Sequence, residues 1–559
     1  MKLLWKKEIK AGEKVSPDSI VRLLLENRGI ENIDDFINPP SPPTIQIEKF
    51  HKSYAKSLQK VFALLEKIKK EEKTIVVYTD YDADGITGGA ILWETLHLLG
   101  FRVMPYVPHR VTEGYGFSVK GIDNIRKQFD PALVISVDHG ITAEEKIKYA
   151  KSLGIPVVIT DHHLKSDTPP KSALAVFHIP ELSGSGVSYF FSKAVFEHFS
   201  NIEYGISNID KLRNYFKADY LTFASIGTIA DLVPLTGISR AVVKHGLAQF
   251  SKVRRVGIIE LLKQGGIEHK LITPYEVGFI IAPRINAIGR LEHALDALRL
   301  LCTNDQKRAH DLTEKIGKKN TERQDLVMES VLEAEKKLQA TSYKLQEKKI
   351  IILFSSSWHE GIIGLIASKL AEKYYRPVIV MTKSGLNYKG SARSISSFHM
   401  TNSLREHKDL LIDVGGHALA AGFTIEAKKL DHFVSTLTAY ADKKLSNEDL
   451  VKTITADVKL PLSCITKTLV EKLDQLSPFG MGNPRPTFIS TVVIARANAM
   501  GKDLQHLKFY SEDDVEFVAF GKGDQLATLS RGEVREVVYT PEINEWNGNR
   551  RINCRVLHL

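Results

Sequence analysis

Four short clusters of acid and imidazole hold the chemistry this chain could perform: DYDADG at 80–85, DHG at 138–140, DHH at 161–163, and Asp231 within TIADLVPL. Each stands immediately after an apolar run. In open α/β sheets a ligand sits outside the carboxyl ends of the strands, so residues that directly follow several strands converge on one crevice. At least five aspartates and a histidine would share it, a density of like charge that demands cations in a low dielectric. Carboxylate mixed with imidazole favours a first-row divalent ion, Mn2+ ahead of Mg2+, because all-oxygen sites suit Mg2+. Two ions about 3.5–4 Å apart need a bridging carboxylate and serve phosphoester hydrolysis by activating water and holding both reacting oxygens. Asp138, alone after its apolar run, is the candidate bridge. An EF-hand loop also begins DxDxDG, as Asp80, Asp82, Asp84 and Gly85 do. Its twelfth position would be Ile91 in place of a bidentate Glu, however, and a strand pattern precedes the motif where a helix belongs.

The elements that must position these residues can be read from texture. From Ile75, short β-branched runs (IVVYT, LVISV, PVVIT) alternate with helical patterns (ITGGAILWETLHLLG, EEKIKYAKSLG), which predicts a parallel sheet of βαβ units. Its strands are continuous apolar runs, as they must be where both sheet faces are covered. No proline occurs between Pro283 and Pro377, and the charge-dense stretch within 301–349 predicts a long connecting helix. A second α/β unit follows (IIILF, WHEGIIGLIASKLAEKY, RPVIVMT), with two polar, glycine-bearing loops expected at KGSARSISSFH and DVGGHALAAG. From Val451, short alternating strands around one helical pattern predict a small β-barrel of OB type. Before all of this, residues 17–45 form a short helical pattern ending in PPSPP, read as an arm leading into the first domain. The expected boundaries are an arm at 1–50, the acid-bearing domain at 51–300, the helix at 301–349, the second α/β unit at 350–450 and the barrel at 451–559.

Composition narrows the class. With 43% hydrophobic and 25% charged residues the chain is neither broadly disordered nor fibrous. A net charge of +10 points to a polyanionic partner such as nucleic acid. From Val451 onward 14 Lys and Arg face 13 Asp and Glu, so a basic groove on the barrel must come from arrangement. Cys302, Cys464 and Cys554 are far apart and odd in number, which argues against a disulfide framework or a CxxC metal site and fits a reducing compartment. The N-terminal apolar run is too short for a secretory leader, and no run approaches the ~18 residues of a membrane span. A soluble, cytoplasmic protein with no membrane partner is expected.

Taken together, YTDYDADGITG, VDHG, TDHH and ADLVPL resemble the four motifs of the DHH phosphoesterase superfamily. Further text extends the likeness over nearly the whole chain: YVPHRVTEGYGF (106–117), IAPRINAIGRL (281–291), NTERQ (320–324), WHEGIIGLIASKL (358–370), KGSARS (389–394), GGHALAAG (415–422) and PFGMGNPRP (478–486). In these the chain is similar to the superfamily's bacterial 5′ to 3′ exonucleases specific for single-stranded DNA. The resemblance implies one Mn2+ held by Asp80, Asp82 and Asp138 and a second by Asp84, Asp138, His162 and Asp231, with Mg2+ as a substitute. His163 would face the phosphate, stabilising charge or acting as general acid, so that Asp138, His162 and His163 are the implied catalytic residues. In-line attack by activated water at the first phosphodiester would release a 5′-mononucleotide. The second α/β unit resembles the DHHA1 domain, whose loops close over the substrate. Ser391 and Arg393, with Arg110, resemble its grip on a terminal 5′-phosphate, and Arg284, Asn286, Arg290 and His417 resemble backbone or metal-proximal contacts. Tyr115 and Phe398 are candidates for stacking on bases, and the barrel would bind single strands. DNA repair and recombination, with a single-strand-binding protein and a helicase as partners, complete the implied setting.

Two departures stand out. His139 follows Asp138 where the family carries a small or amide residue, leaving either a metal contact or a turn cap as its role, and HIP at 178–180 replaces an Asn-Pro turn. Two other functions remain to be separated. A phosphodiesterase for short oligonucleotides or cyclic dinucleotides would be shorter and lack the barrel. A non-catalytic replisome scaffold would have lost metal ligands that are all present here.

Overall fold

The computed structural model describes residues 2–110, 112–164, 169–200, 208–340, 348–546 and 549–559. The chain divides into two compact units. One comprises Leu3–Val107, Tyr115–Ala282 and Ile454–Leu559; the other comprises Met1–Lys2, Pro108–Gly114 and Pro283–Thr453.

The first unit contains the predicted parallel sheet. Its strands run in the order Arg102–Tyr106, Thr74–Thr79, Leu133–Val137, Val157–Asp161, Ala175–His178, with every neighbouring pair parallel. Three of these strands are buried along their whole length, as their unbroken apolar runs require. On one face Val76, Tyr78, Val134 and Ile159 pack with Ile122, Ile125 and Ile147 of helices Val119–Phe129 and Glu144–Ser152. Helix Ala83–Leu98 packs against the sheet and against two further helices, Gly184–Ser200 and Asp219–Ala230. All three are buried on nearly every side.

The same unit holds the barrel. Strands Phe488–Met500, His506–Ser511, Glu516–Ala519, Asn549–His558 and Val534–Trp546 pair in that order, and the last returns to pair with the first, closing five strands. Closure removes the exposed edges that an open sheet of this size would leave.

The N-terminal residues pack on the barrel. Strand Lys2–Glu8 pairs with Thr453–Lys459. Helix Pro17–Glu26 starts at an N-cap serine, Ser16, with Pro17 in its first turn. It buries Ile20, Leu24 and Leu25 in one core with Leu469, Leu473 and Leu476. Arg28 donates to the Pro484 carbonyl at 2.8 Å. Buried Arg240 then ties three segments together: it donates to the carbonyls of Phe36 (2.7 Å), Ser477 (2.8 Å) and Pro478 (3.3 Å) and lies over the Phe36 ring at 3.9 Å. Leu235 N–H donates to the Met481 carbonyl at 2.7 Å, joining PFGMGNPRP to the segment that follows Asp231.

In the second unit a helix of 35 residues, Gln306–Ala340, precedes the second α/β fold. Residues 341–347 of the connecting segment lie outside the described residues. The sheet runs Leu411–His417, Ala420–Glu426, Asn387–Arg393, Val378–Ser384, Ile351–Phe354, and only the last pair is parallel. The two stretches expected as loops are strands in large part, with residues 394–399 and the turn at 418–419 outside them. KGSAR lies in Asn387–Arg393, and DVGGH with AAG forms the hairpin of Leu411–His417 and Ala420–Glu426. Glycine lowers strand propensity, so the pattern reads as loop. At Gly390, however, a Cβ would stand 2.2 Å from the Phe423 ring, and the bare backbone is what lets that ring lie across the strand. Among the described residues no helix is long and apolar enough to cross a membrane.

Candidate active site

Asp80 follows strand Thr74–Thr79, Asp138 follows Leu133–Val137, and Asp161 ends Val157–Asp161 with His162 and His163 behind it. Asp231 differs from the expectation: the apolar run before it is the helix Asp219–Ala230, which it caps at the C-terminal end. Asp82 is the N-cap of helix Ala83–Leu98, its Oδ1 accepting from the backbone of Asp84 and Gly85 at 3.0 Å each. Asp84, buried in the first turn, accepts from Gly184 N (2.6 Å) and Ser185 N (2.9 Å) at the start of the next helix. Three donor groups result, each with atoms within 4.8 Å of one another: Asp80, Asp82 and Asp138; Asp84, His162 and Asp231; and Asp138, His162 and His163. His162 Nε2 lies 3.2 Å from Asp138 Oδ1, 3.5 Å from Asp231 Oδ2 and 3.9 Å from Asp84 Oδ2.

Burial and mutual repulsion set the charges. Burial, then Asp84, Asp82, Asp231 and Asp80, pushes the Asp138 carboxyl well above the usual range. Burial with Asp84 and Asp82 raises Asp231 to about 8, and burial with Asp84 raises Asp82. Burial lowers His162, keeping it a neutral nitrogen donor. Asp138 Oδ1 and His162 Nε2 are buried yet have no hydrogen-bond partner among the described residues. Buried polar atoms rarely stay so. A divalent cation would supply the missing partner and offset the repulsion.

Asp161 has a different task. Its Oδ1 accepts from His162 N (2.7 Å), His163 N (3.1 Å) and His163 Nδ1 (2.9 Å), and its Oδ2 from Ile141 N (2.8 Å). It orients both histidines, and although burial opposes this, the His163 bond holds it well below the usual range. Burial works against charge on His163 too, but the bond to Asp161 and its charge raise the imidazole to about 9, which favours its protonated form. His163 Nε2 lies 3.1 Å from the Tyr115 hydroxyl, which donates to the Asp138 carbonyl at 3.0 Å. His139 is a core residue. It donates from Nε2 to the Tyr78 carbonyl at 3.0 Å, packs edge-on to Phe117 and Tyr78, and is held neutral by burial at about 4.

Sequence reasoning missed the glycines that make room for the carboxylates. A Cβ at Gly184 would stand 2.3 Å from Asp138 Oδ1, and one at Gly227 would stand 2.2 Å from Asp84 Oδ1. SGSG at 183–186, opening a buried helix, was the available signal for the first. The orienting roles of Asp161 and Tyr115 were missed as well.

The remaining candidates belong to the second unit. Ser391 and Arg393, two apart and so on one face of strand Asn387–Arg393, lie beside the first turn of helix Ile363–Tyr374. A Cβ at Gly364 would stand 2.9 Å from Ser391 Oγ and 3.4 Å from Arg393 Nη2. Arg393 donates to the Ala392 carbonyl at 2.8 Å and forms no ion pair among the described residues. Burial lowers its pKa, and neighbouring Arg110 lowers it further. Arg284, Asn286 and Arg290 share helix Ala282–Leu291. Burial lowers Arg284, which also repels Arg323, while Arg290 donates to the Gly361 carbonyl at 3.0 Å. His417 ends strand Leu411–His417, exposed, and its carbonyl accepts from Thr401 Oγ1. Phe398 is 3% exposed within the hydrophobic core, so it offers no face to a base.

Comparison with known proteins bears on this geometry. The profile of the DHH family, N-terminal domain, matches residues 74–228, the DHHA1 domain matches 347–443, and the RecJ OB domain matches 456–558. The single-stranded-DNA-specific exonuclease RecJ of Bacillus subtilis is 33% identical over 87% of this chain, and the match spans 61% of that relative's length. RecJ of Haemophilus influenzae is 30% identical over 100% of this chain and 99% of its own. A crystal structure of RecJ in complex with Mn2+ from Thermus thermophilus superposes with a TM-score of 0.81 at 29% identity, covering 100% of this chain and 79% of that one. Alike from end to end in sequence and fold, the chain belongs to the RecJ family of single-stranded-DNA-specific exonucleases, metal-dependent phosphoesterases of the DHH superfamily.

Proposed function

We propose that the chain removes nucleotides from the 5′ end of single-stranded DNA as 5′-mononucleotides, using two divalent cations, Mn2+ ahead of Mg2+, in DNA repair and recombination. One observation carries this reading. Asp138 Oδ1 and His162 Nε2 are buried and unbonded among Asp80, Asp82, Asp84 and Asp231, a donor set of oxygens and one neutral imidazole that fits first-row divalent ions. Asp80, Asp82 and Asp138 would hold one ion, and Asp84, Asp138, His162 and Asp231 the other. When bound, the ions supply water activation and charge stabilisation at the phosphodiester. The Thermus thermophilus relative, crystallised in complex with Mn2+ and with Mg2+, supports a divalent cation at such a site.

The chain's own residues do the rest. Cationic His163, aligned by Asp161, offers Nε2–H to a phosphoryl oxygen or leaving oxygen. Tyr115 steadies the backbone at Asp138. In the second unit, Ser391, Arg393 and Arg110 suit a terminal 5′-phosphate, because a half-buried guanidinium with a second one repelling it favours an anion as its ligand. Arg284, Asn286, Arg290 and His417 suit contacts along the backbone. On the barrel, Phe520 is 54% exposed with the His506 ring at 5.2 Å and the Arg555 guanidinium at 5.7 Å, and Arg496 lies over Tyr510 at 4.0 Å. Rings paired with cations support strand binding despite the barrel's balanced charge. A cytoplasmic setting with a single-strand-binding protein and a helicase follows from the family alone.

The test uses end-labelled single-stranded DNA, duplex DNA and RNA with Mn2+, Mg2+ or chelator. Stepwise release of mononucleotides from the 5′ end of single-stranded DNA, lost with chelator, is the expected result. Preference for very short oligonucleotides would favour the alternative phosphodiesterase, and strand binding without turnover would favour a scaffold. Asp138→Ala should lower turnover roughly a thousandfold or more; activity within tenfold of the parent would remove the bridging role.

A further inference from the structure

Building on the exonuclease reading, we propose that Tyr275 and Phe279 form a platform on which unpaired bases of the substrate strand stack, so that this pair contributes to single-strand selectivity.

Between Thr273 and Ala282 the chain makes a short α-turn, Pro274–Glu276, that runs directly into a π-helical turn, Val277–Ile281. Tyr275 and Phe279, four apart, stack on each other with ring centroids 4.9 Å apart and planes inclined by 28°. Neither ring enters the core: Tyr275 is 61% and Phe279 is 70% exposed. Two adjacent large rings left in water carry a hydrophobic cost that a neighbouring core could have relieved, and such exposed apolar surface marks ligand sites. Single π-turns within helices also concentrate at functional positions.

The rest of the segment is built to hold the pair still. Val277 and Ile281 are buried beneath it. Glu276, the only acid between Thr273 and Ala282, is turned back onto Thr273, accepting from its backbone N–H at 3.0 Å and from its hydroxyl. Exposed His269 and Lys270 lead into the turn. At Gly278 the turn packs on helix Asp219–Ala230, where a Cβ would stand 3.8 Å from Ile229 Cγ2. Ile229 is two residues before Asp231, so the platform rests on the same helix end that presents a proposed metal ligand. That continuity with the candidate active site selects the occupant. Every base has a π-face, but in a duplex those faces are covered by neighbouring pairs, so stacking on an external ring favours a strand whose bases are free.

The test compares the parent with Tyr275→Leu/Phe279→Leu, which keeps apolar bulk and removes the rings. Affinity is measured for a short 5′-phosphorylated oligothymidylate and for the same strand carrying abasic sites, with chelator present to hold turnover at zero. The parent is expected to prefer the base-bearing strand. The variant is expected to lose roughly tenfold in affinity for it, while binding of the abasic strand changes little, so the preference collapses. An unchanged preference in the variant overturns the proposal. So does a parent that self-associates in sedimentation and is dissociated by the substitutions with DNA affinity intact, because the pair would then be a protein interface. Turnover of single-stranded DNA by the parent in Mn2+ is scored separately: its absence would sink the exonuclease reading, whereas normal turnover with an unchanged base preference would sink only the platform.

Discussion

At the candidate metal centre, positions with no side chain are as constrained as the proposed ligands. A methyl group at Gly184 would meet Asp138 Oδ1 at 2.3 Å, so Gly184→Ala must displace the carboxylate proposed to bridge both ions. We expect turnover to fall at least about a hundredfold, with weaker Mn2+ affinity by calorimetry and an unchanged far-ultraviolet spectrum. Arg393→Ala should slow cleavage of 5′-phosphorylated strands much more than that of 5′-hydroxyl strands, measured as the ratio of kcat/KM for the two ends. Equal slowing would move the phosphate site elsewhere. The candidate ligands were legible because acids placed directly after apolar runs contradict ordinary burial, and Asp80 and Asp138 both show that contradiction. Gly184 and Asp161 were not legible as partners of those residues. The first approaches Asp138 from 46 positions away in the chain, and the second shows its role only in four hydrogen bonds.

Among elements, the fully buried parallel strands announced themselves, since only a covered sheet asks for runs such as LVISV. Strand Asn387–Arg393 did not, because its glycine answers the Phe423 ring on a neighbouring strand rather than any local preference. The helix before Asp231 was likewise hidden: TFASIGTIA is apolar all round, and periodicity cannot separate a buried helix from a buried strand. The junction at Arg240 tests how elements are held together. Replacing it with leucine strands the carbonyls of Phe36, Ser477 and Pro478 without their donor. Arg240→Leu should therefore cost about 3 kcal/mol or more, read as a lower urea midpoint, while kcat of the folded fraction changes little.

For the whole molecule, the barrel cannot be treated as a detachable strand-binding module. Deleting residues 451–559 would uncover Ile20, Leu24 and Leu25 and remove the bond between Met481 and Leu235, four residues beyond Asp231. We expect the shortened chain to aggregate on size-exclusion chromatography, and any soluble fraction to lose kcat as well as strand affinity. A monodisperse product with unchanged kcat and only a raised KM would contradict this.

The pairing of segments more than 400 residues apart also sets an order in time. Asn27 donates to the carbonyl of Asp457, 430 residues later. On a ribosome adding roughly 10 residues per second, the apolar face of helix Pro17–Glu26 emerges and waits on the order of 40 s for helix Lys467–Asp474, which covers it. The parallel sheet can be complete well before then, but the barrel cannot close until strand Asn549–His558 has left the exit tunnel. The nascent chain therefore carries a sticky apolar helix until Leu469, Leu473 and Leu476 arrive to shield it.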